Sequence, residues 1–357
     1  MLSHFGLGSR AFLYERYDCD VQGLVAVRRG EAAAGVLAPV PGASWGLAMS
    51  LAGNPHYCQA DPYLGAAHAV CEATRNVVAV GAQPWALTDC LNFGSALDPE
   101  VMADLEASIQ GLADAARALA TDDTDHPLPF VSGNVSLYNQ DEAGHAIPPS
   151  PIVGCLGRLS HLSRVVTPGF KRGGNVLLYL GPPRGDTSGS EFSRRILGEK
   201  SGEGLPALEL SNERARQWAV RSWVQSGWLA AVQPVGQGGL WSSLSSMGFR
   251  SHARFGAVVE WPSSATAEED ENHIWWSEEP GFLLEVHPDT APRILREGAA
   301  ESLGLIPIGQ VCEEPFLISR RPGREHWRAD LQMLEERWRR SLEEVWHLGE
   351  EPLGVTR

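Results

Sequence analysis

The stretch GLAMSLAGNPHYCQADPYLGAAHAVCEATRNVVAVGAQPWALTDCLNFG, from Gly46 to Gly94, contains the pattern around which the rest of the chain is interpreted. An apolar segment from Leu47 to Leu51 predicts a strand, and the turn-forming GNP leads from it to a helix after DPY. Apolar residues of this helix recur at steps of four and three, which is typical of one buried face: Ala66, Val70, Ala73, Val77 and Val80. A second strand follows and carries Asp89. The many alanines favour close packing of the helix on a sheet.

Two polar residues of the same helix, Glu72 and Asn76, are four positions apart and therefore share one face. Their oxygens are of the kind that holds a hard cation. The same spacing also fits a solvated helix face with a hydrogen bond between neighbouring turns. The spacing alone leaves both interpretations open.

Length and composition agree with a chain of about two domains. The chain has 357 residues, of which 43% are hydrophobic, and this length is typical of about two domains. No apolar run approaches the ~18 residues needed to span a bilayer, and the N-terminus lacks a signal-peptide pattern, so we expect a cytoplasmic protein without a membrane partner. The six cysteines form no CxxC pair, which argues against a metal cluster or a disulfide framework.

The charge pattern bears on possible partners. The net charge of -15 is spread along the chain, and no block of lysine and arginine marks a nucleic-acid surface. Binding of a single nucleotide stays possible, since it needs only local backbone donors and a metal ion.

A second polar motif follows the next helix. Asp98 and Pro99 are good N-cap and first-turn residues for that helix, and Phe130 and Val131 then predict a short buried strand that enters SGNVSLYN. Gly133 and Asn134 would let a phosphate approach the backbone, with a side-chain oxygen nearby. Taken alone, the triplet SGN at residues 132–134 is typical of an ordinary turn.

In the C-terminal half, GGNVLLYLG from residue 173 to 181 predicts a buried strand, and GFLLEVHP from 281 to 288 predicts a further strand. The tail alternates apolar residues on one face with Glu and Arg on the other, which predicts an amphipathic helix packed on its own domain.

Several motifs occur in one order along the chain: GNPHYC, DPYLGA, EATRN, GAQPWALTDCLNFG and VSGNVSLYN. Together they closely resemble the second half of the large subunit (PurL) of phosphoribosylformylglycinamidine synthase. That enzyme catalyses an ATP-dependent amidation in purine biosynthesis. Its long chain contains two tandem copies of an aminoimidazole ribonucleotide synthetase (PurM)-like unit, and this chain has the length of one copy.

The resemblance implies an α/β fold with two PurM-like domains. The N-terminal domain, residues 1–160, would carry a sheet that joins another such sheet into a shared barrel, and residues 161–357 would form a C-terminal α/β domain. A lone copy is then expected to pair with itself or with a separately encoded first-half PurL-like chain. A glutaminase and a small bridging subunit are further partners that the resemblance suggests.

The resemblance also implies roles for single residues. In the family, the residues matching Asp89 and Gly133 face ATP, the one matching Asn134 binds Mg²⁺, and the one matching Ser136 meets the glycinamide ribonucleotide. The catalytic histidine and most metal carboxylates lie in the first copy, so no catalytic residue is expected in this half. ATP and Mg²⁺ are the implied cofactors.

A second, auxiliary nucleotide site of the family is expected to be degenerate here. Its ligands map to Ala33, Glu72, Asn76 and Pro234, and the first and last of these positions have lost a carboxylate. A methyl group or a proline ring cannot ligate a hard cation. The glycines of QPVGQGGL, residues 233–240, are kept, so the backbone turn and the following helix are expected to persist.

The expected function is therefore that of a half-subunit that completes an active site with a partner and is inactive alone. Two alternatives stay open. One is a stand-alone ATP-dependent enzyme of the wider superfamily, although the carboxylates of the HD and SDGG motifs are missing. The other is a non-catalytic structural or regulatory paralogue that kept the fold.

Overall fold

The computed structural model describes residues 2, 4, 6–119, 126–182, 185–198, 204–252, 254–260, 273–321 and 324–348. They form two α/β units, each built on one sheet, as the resemblance implied. Among these residues, no helix combines the length and the apolar character needed to cross a bilayer.

The first unit contains a six-stranded sheet in the order β1-β2-β3-β6-β4-β5. Its strands are β1 (Val25–Val27), β2 (Gly35–Leu37), β3 (Gly46–Ala52), β4 (Gln83–Asn92), β5 (Phe130–Ser136) and β6 (Ser150–Leu159). All neighbouring pairs are antiparallel except β4 and β5, which run parallel. The predicted strand at 47–51 is confirmed, and β5 forms one edge of the sheet.

Helices of the first unit cover one face of this sheet. A short α1 (Ala11–Tyr14) precedes the sheet, and the later helices are α2 (Pro55–Ala60), α3 (Pro62–Ala79) and α4 (Pro99–Ala118). Each of the three later helices begins at a proline whose preceding Asn or Asp side chain accepts backbone N–H groups: Asn54, Asp61 and Asp98. The N-cap predicted at Asp98 is thus confirmed. The buried alanines of α3 lie in one apolar core with Val153 and Cys155 of β6.

The opposite face of the sheet is open. Alternation along β3 points Leu47, Met49 and Leu51 away from α3, and Met49 and Leu51 are 47% and 74% exposed. Trp85, beside a bulge in β4, is also exposed. An exposed apolar face of this kind is a common feature of surfaces that pair with another protein.

The second unit contains a seven-stranded sheet in the order β13-β12-β9-β11-β7-β10-β8. Its strands are β7 (Val176–Leu180), β8 (Leu229–Pro234), β9 (Gly256–Glu260), β10 (Phe282–Val286), β11 (Leu305–Cys312), β12 (Phe316–Arg321) and β13 (Arg324–Asp330). The strand predicted as buried is β7, the other predicted strand is β10, and both lie inside the sheet. All five residues of β10 are buried.

The helices of this unit are α5 (Leu210–Gln225), α6 (Gly239–Phe249), α7 (Ala291–Ala300) and α8 (Leu331–Leu348). A π-helical turn covers Ser193–Leu197. The expected turn and helix after the glycines at 236–239 are present, with Gly238 and Gly239 both at positive φ. The tail helix α8 packs on α6 and on α1, and Trp338 donates its indole N–H to the Leu7 carbonyl at 2.8 Å.

The two units share a buried interface between α3 and α5. Arg75 and Glu213 form an ion pair at 3.2 Å, and both side chains are almost fully buried. Gln217 joins the same network by donating to Thr74 Oγ1 at 3.0 Å and to Glu213 at 2.8 Å. A buried ion pair of this kind fixes how the two units dock. In any other arrangement of the interface, one of the two charges would be buried without its partner, which is costly.

One detail of the sequence interpretation was wrong. Val131 lies on an edge strand and is 68% exposed, so the expectation of a buried strand at 130–131 does not hold.

Candidate functional site

The strand pair β4–β5 brings the four implied site residues onto neighbouring strands. Asp89 stands opposite Gly133, Cys90 opposite Asn134, and Asn92 opposite Ser136. Because side chains alternate along a strand, this register divides the four residues between two faces. Asp89 and Gly133 share the face of the buried Leu87 and Leu91, which the helices cover, whereas Asn134 and Ser136 lie on the open face.

Gly133 is required by the position of Asp89. A Cβ atom at residue 133 would collide with the Asp89 carboxylate, which lies directly over the glycine. The absence of a side chain therefore lets the carboxylate lie against the backbone of the edge strand. The backbone N–H of Asn134 donates a hydrogen bond to that carboxylate.

The Asp89 carboxyl is partly shielded from water, and this burial raises its pKa, while the Asn134 N–H acts in the opposite direction. Carboxylate and amide oxygens are suitable ligands for Mg²⁺. Within the described part of the chain, however, no three His, Cys, Asp or Glu side chains are grouped so as to hold a metal ion. Asn134 would offer an amide oxygen to a metal ion on the open face, whereas the Asp89 carboxylate lies on the other face of the same sheet edge.

Ser136 lies at the end of β5 and is held by the turn that follows it. The Asn139 side chain reaches back to Ser136 and to Phe93, the residue after β4. The Phe93 N–H in turn donates to the Ser136 carbonyl at 3.0 Å. These contacts tie the ends of β4 and β5 together.

The residues of the expected auxiliary site are dispersed over three elements. Glu72 and Asn76 are half-buried on α3, which contacts β8, and β8 ends at the buried Pro234. Ala33 packs against a core cluster that contains Val232 of β8. Burial raises the pKa of Glu72, and the nearby Arg75 opposes that change. Two of the four ligand positions, Ala33 and Pro234, therefore carry apolar side chains that pack in the protein interior.

A buried carboxylate that the sequence interpretation missed lies at the domain interface. Glu278 is only 6% exposed, and its Oε1 accepts the backbone N–H groups of Gly238 at 2.7 Å and Glu191 at 2.9 Å. Its Oε2 accepts the hydroxyl of Tyr57, from α2 of the first unit, at 2.9 Å. Burial raises the Glu278 pKa to about 7, against the effect of these three donors. The only available sequence signal was a pair of glutamates shortly before the buried strand β10.

The carboxylate of Glu278 therefore binds the glycine turn before α6, at the helix end where backbone N–H groups attract an anion. Glu191 is in turn paired with Arg194 at 3.1 Å and with Arg195. Together these contacts link three segments of the second unit to the first.

A cavity of about 570 Å³ lies at a different place in the molecule. Its lining includes Tyr14, Arg28, Arg250 and Trp338, and includes none of the four residues on β4 and β5. Those residues occupy an exposed strand edge, which lacks the enclosure of a small-molecule pocket.

Comparison with known proteins agrees with the two-unit architecture. Residues 31–159 match the model of the AIR synthase related protein, N-terminal domain, and residues 172–320 match that of the C-terminal domain. The chain belongs to the AIR synthase related proteins. These two domain matches correspond to the two sheets described above.

Curated relatives of this AIR synthase related chain include phosphoribosylformylglycinamidine synthase subunits PurL. The subunit from Methanothrix thermoacetophila is 35% identical over 346 residues, which cover 97% of this chain and 44% of the relative. The subunit from an Anaeromyxobacter species is 40% identical over 243 residues, covering 67% of this chain and 30% of the relative. The chain thus spans less than half the length of these relatives.

Solved structures show the same fold. T. maritima PurL complexed with FGAR has a TM-score of 0.69 at 22% identity, covering 86% of this chain and 48% of that chain. The same protein complexed with ATP has a TM-score of 0.63 at 22% identity, with 82% and 44% covered. PurLQS from Thermotoga maritima has a TM-score of 0.65 at 20% identity, with 82% and 45% covered.

Proposed function

We propose that this chain is one half of a phosphoribosylformylglycinamidine synthase and completes an active site together with a first-half partner. The reaction would be the ATP-dependent amidation of formylglycinamide ribonucleotide. Similarity to PurL subunits over nearly the whole chain supports this reaction.

One observation carries the proposal: the set of residues that would serve a shared site is complete, while the set that would serve this half's own auxiliary site is not. Asp89, Gly133, Asn134 and Ser136 lie in register on two neighbouring strands. The auxiliary positions include Ala33 and Pro234, which offer no side-chain oxygen. A purely structural paralogue would give no reason to keep one set and lose the other.

The open face of the first sheet supports docking of a partner at the proposed site. Met49 and Leu51 are exposed on the same face on which Asn134 and Ser136 lie. A second sheet covering this apolar face would bring its own side chains towards both polar residues. The partner could be a first-half chain or a second copy of this one.

The proposed chemistry is transfer of a phosphoryl group from ATP to the amide oxygen of the substrate, followed by displacement of phosphate by ammonia. Such transfer depends on positioning and on neutralisation of phosphate charge, which Mg²⁺ supplies when bound. Asp89 would offer a carboxylate to that site, and the strand edge at Gly133 would let a phosphate approach the backbone. Asn134 would offer an amide oxygen to the metal, and Ser136 would hydrogen-bond the substrate.

The test is turnover of formylglycinamide ribonucleotide with ATP and ammonia by the chain purified with its natural partners. We expect the isolated chain to be inactive and the complex to be active. Asp89→Ala is expected to lower kcat/KM roughly a hundredfold, in line with loss of one electrostatic group in an active site. The exposed Glu106→Gln on α4 is the matched control and should leave turnover unchanged.

Turnover by a complex in which Asp89→Ala and Ser136→Ala have no effect would contradict the proposed roles. Absence of turnover and of any partner would favour the non-catalytic reading, in which the chain is a structural or regulatory paralogue. PurLQS indicates that PurL of Thermotoga maritima assembles with other subunits, so co-purification should include such proteins.

A further inference from the structure

The turn after β5 contains Asn139, whose side-chain amide makes several short contacts to Ser136, the residue proposed to meet the substrate. Asn139 Nδ2 lies 3.0 Å from the Phe93 carbonyl, 2.9 Å from the Ser136 carbonyl and 3.2 Å from Ser136 Oγ. Asn139 Oδ1 lies 3.3 Å from Ser136 Oγ. One amide therefore contacts the ends of both strands that carry the proposed site.

The orientation of this amide follows from its partners. Two of them are backbone carbonyls, which only accept hydrogen bonds, so the nitrogen and not the oxygen of Asn139 must face them. The two hydrogens on Nδ2 are then directed to the carbonyls of Phe93 and Ser136. The remaining bond is donated by the Ser136 hydroxyl to Asn139 Oδ1.

The backbone of the turn is shaped around these contacts. Tyr138 has a φ of 62°, a left-handed conformation that is uncommon for a residue with a side chain, and its N–H donates to the Gly94 carbonyl at 2.7 Å. The Asn139 N–H donates to the Phe93 carbonyl at 3.1 Å. Left-handed backbone of this kind persists where surrounding contacts hold it, and it often marks functional sites.

We propose that Asn139 is a positioning residue that orients the Ser136 hydroxyl so that its lone pairs, and not its hydrogen, face the ligand. This inference rests on the proposed function. Because the hydroxyl hydrogen is used by Asn139, Ser136 can only accept from the substrate. The group that it recognises is therefore a donor, such as an amide N–H or a sugar hydroxyl, and not a phosphate oxygen.

The test compares Asn139→Ala, Ser136→Ala and the double variant in the active complex, with the exposed Gln140→Ala as control. Loss of one oriented hydrogen bond is expected to raise KM for formylglycinamide ribonucleotide about tenfold, with kcat less affected. The double variant should raise KM by less than the product of the two single effects, since the two changes remove one shared interaction, although Asn139→Ala also removes the bonds to the strand ends. Additive effects, or an unchanged KM in Asn139→Ala, would overturn the inference.

A second readout does not require turnover. Asn139→Asp keeps an acceptor for Ser136 but loses both N–H donors and places a carboxylate against two carbonyls. Hydrogen exchange at the Phe93 and Tyr138 amides, which are bonded to the ends of the two strands, should accelerate at least tenfold in that variant and not in Gln140→Ala. Unchanged exchange would overturn the role of Asn139 in holding the turn.

The two readouts separate the inference from the function on which it rests. A wild-type complex without turnover would overturn the proposed function and the substrate part of the inference. Hydrogen exchange would then still test whether Asn139 holds the ends of β4 and β5 together. An active complex with normal KM in Asn139→Ala would leave the function intact and reject the positioning role.

Discussion

Replacing Glu278 by glutamine tests whether a buried carboxylate joins the two domains. The side chain accepts the N–H groups of Gly238 and Glu191 through one oxygen and the Tyr57 hydroxyl through the other. Glutamine has the same shape. Its oxygen can accept both N–H groups, and its nitrogen can donate to the Tyr57 oxygen. The variant should therefore fold with the same contacts and without the charge.

The magnitude follows from the pKa of Glu278, which burial raises from its ordinary value of 4.5 to about 7. The folded state thus binds this proton more tightly than the unfolded state does. The resulting stabilisation is complete below pH 4.5 and is lost as the pH rises through 7. A change of this size corresponds to roughly 3 kcal/mol, most of which falls between pH 5 and pH 8. Glutamine does not titrate, so Glu278→Gln should gain about that much relative to the wild type over this range.

The assay is urea unfolding of both proteins at pH 5, 6, 7 and 8, with the exposed Glu301→Gln as control. The informative quantity is the difference in free energy of unfolding between variant and wild type, because every other titrating group cancels from it. We expect this difference to become more favourable to Glu278→Gln as the pH rises, and to stay flat for Glu301→Gln. A flat difference for Glu278→Gln would refute the reasoning that a buried carboxylate is held here near neutral pH.

Three further predictions concern the proposed sites. The protein should sediment as a dimer at micromolar concentration, and Leu51→Lys should yield a monomer, whereas Leu97→Lys, an equally exposed leucine outside the sheet, should not; a monomeric wild type would count against pairing with itself. Calorimetric titration with magnesium-ADP should show no micromolar binding to the wild-type chain. The combined change Ala33→Asp with Pro234→Asp should introduce binding if the auxiliary site has lost only its ligand side chains and has kept its backbone. Gly133→Ala should cost about 1–3 kcal/mol in urea unfolding, because the new methyl group meets the Asp89 carboxylate; a neutral effect would mean that this carboxylate moves freely.

The regular elements of the first unit could be predicted because each has a strong local signal. The four-and-three spacing of α3 and the Asp-Pro start of α4 depend on neighbours within a few residues. Exposure of Val131 could not be predicted in this way. An apolar pair before a glycine has the same sequence on an edge strand as on a central one, and only the sheet order distinguishes the two cases.

The division of the site between two faces was likewise beyond the sequence. It depends on an irregularity in the β4–β5 register between Leu87 and Thr88, where the partner residue shifts from Phe130 to Ser132. A shift of one residue moves each later side chain of β5 to the other face. The order of motifs along the chain could therefore indicate that Asp89 and Ser136 lie on neighbouring strands. It could not indicate that their side chains lie on opposite faces of the sheet.

The role of Glu278 could not be anticipated for a related reason. Its three donors come from residues 57, 191 and 238, which are far apart in sequence. The last two meet Glu278 within the second unit, and Tyr57 reaches it only when the two units dock. Burial of a carboxylate is a property of the assembled interface, and no local pattern encodes it.

The division of the four residues between two faces also bears on why a partner is expected. Asp89 faces the side of the sheet that α3 and α4 cover, and this chain partly shields its carboxyl from water. Asn134 and Ser136 lie on the open side, as do the exposed apolar residues Met49 and Leu51. Asn134 is exposed there, and Ser136 is half-buried beside Asn139. A ligand that contacts both groups must pass around the edge strand β5, and water is excluded there only if another surface closes over it. We infer that the surface which buries Met49 and Leu51 is the same one that completes the site, so loss of pairing and loss of turnover should occur together in Leu51→Lys.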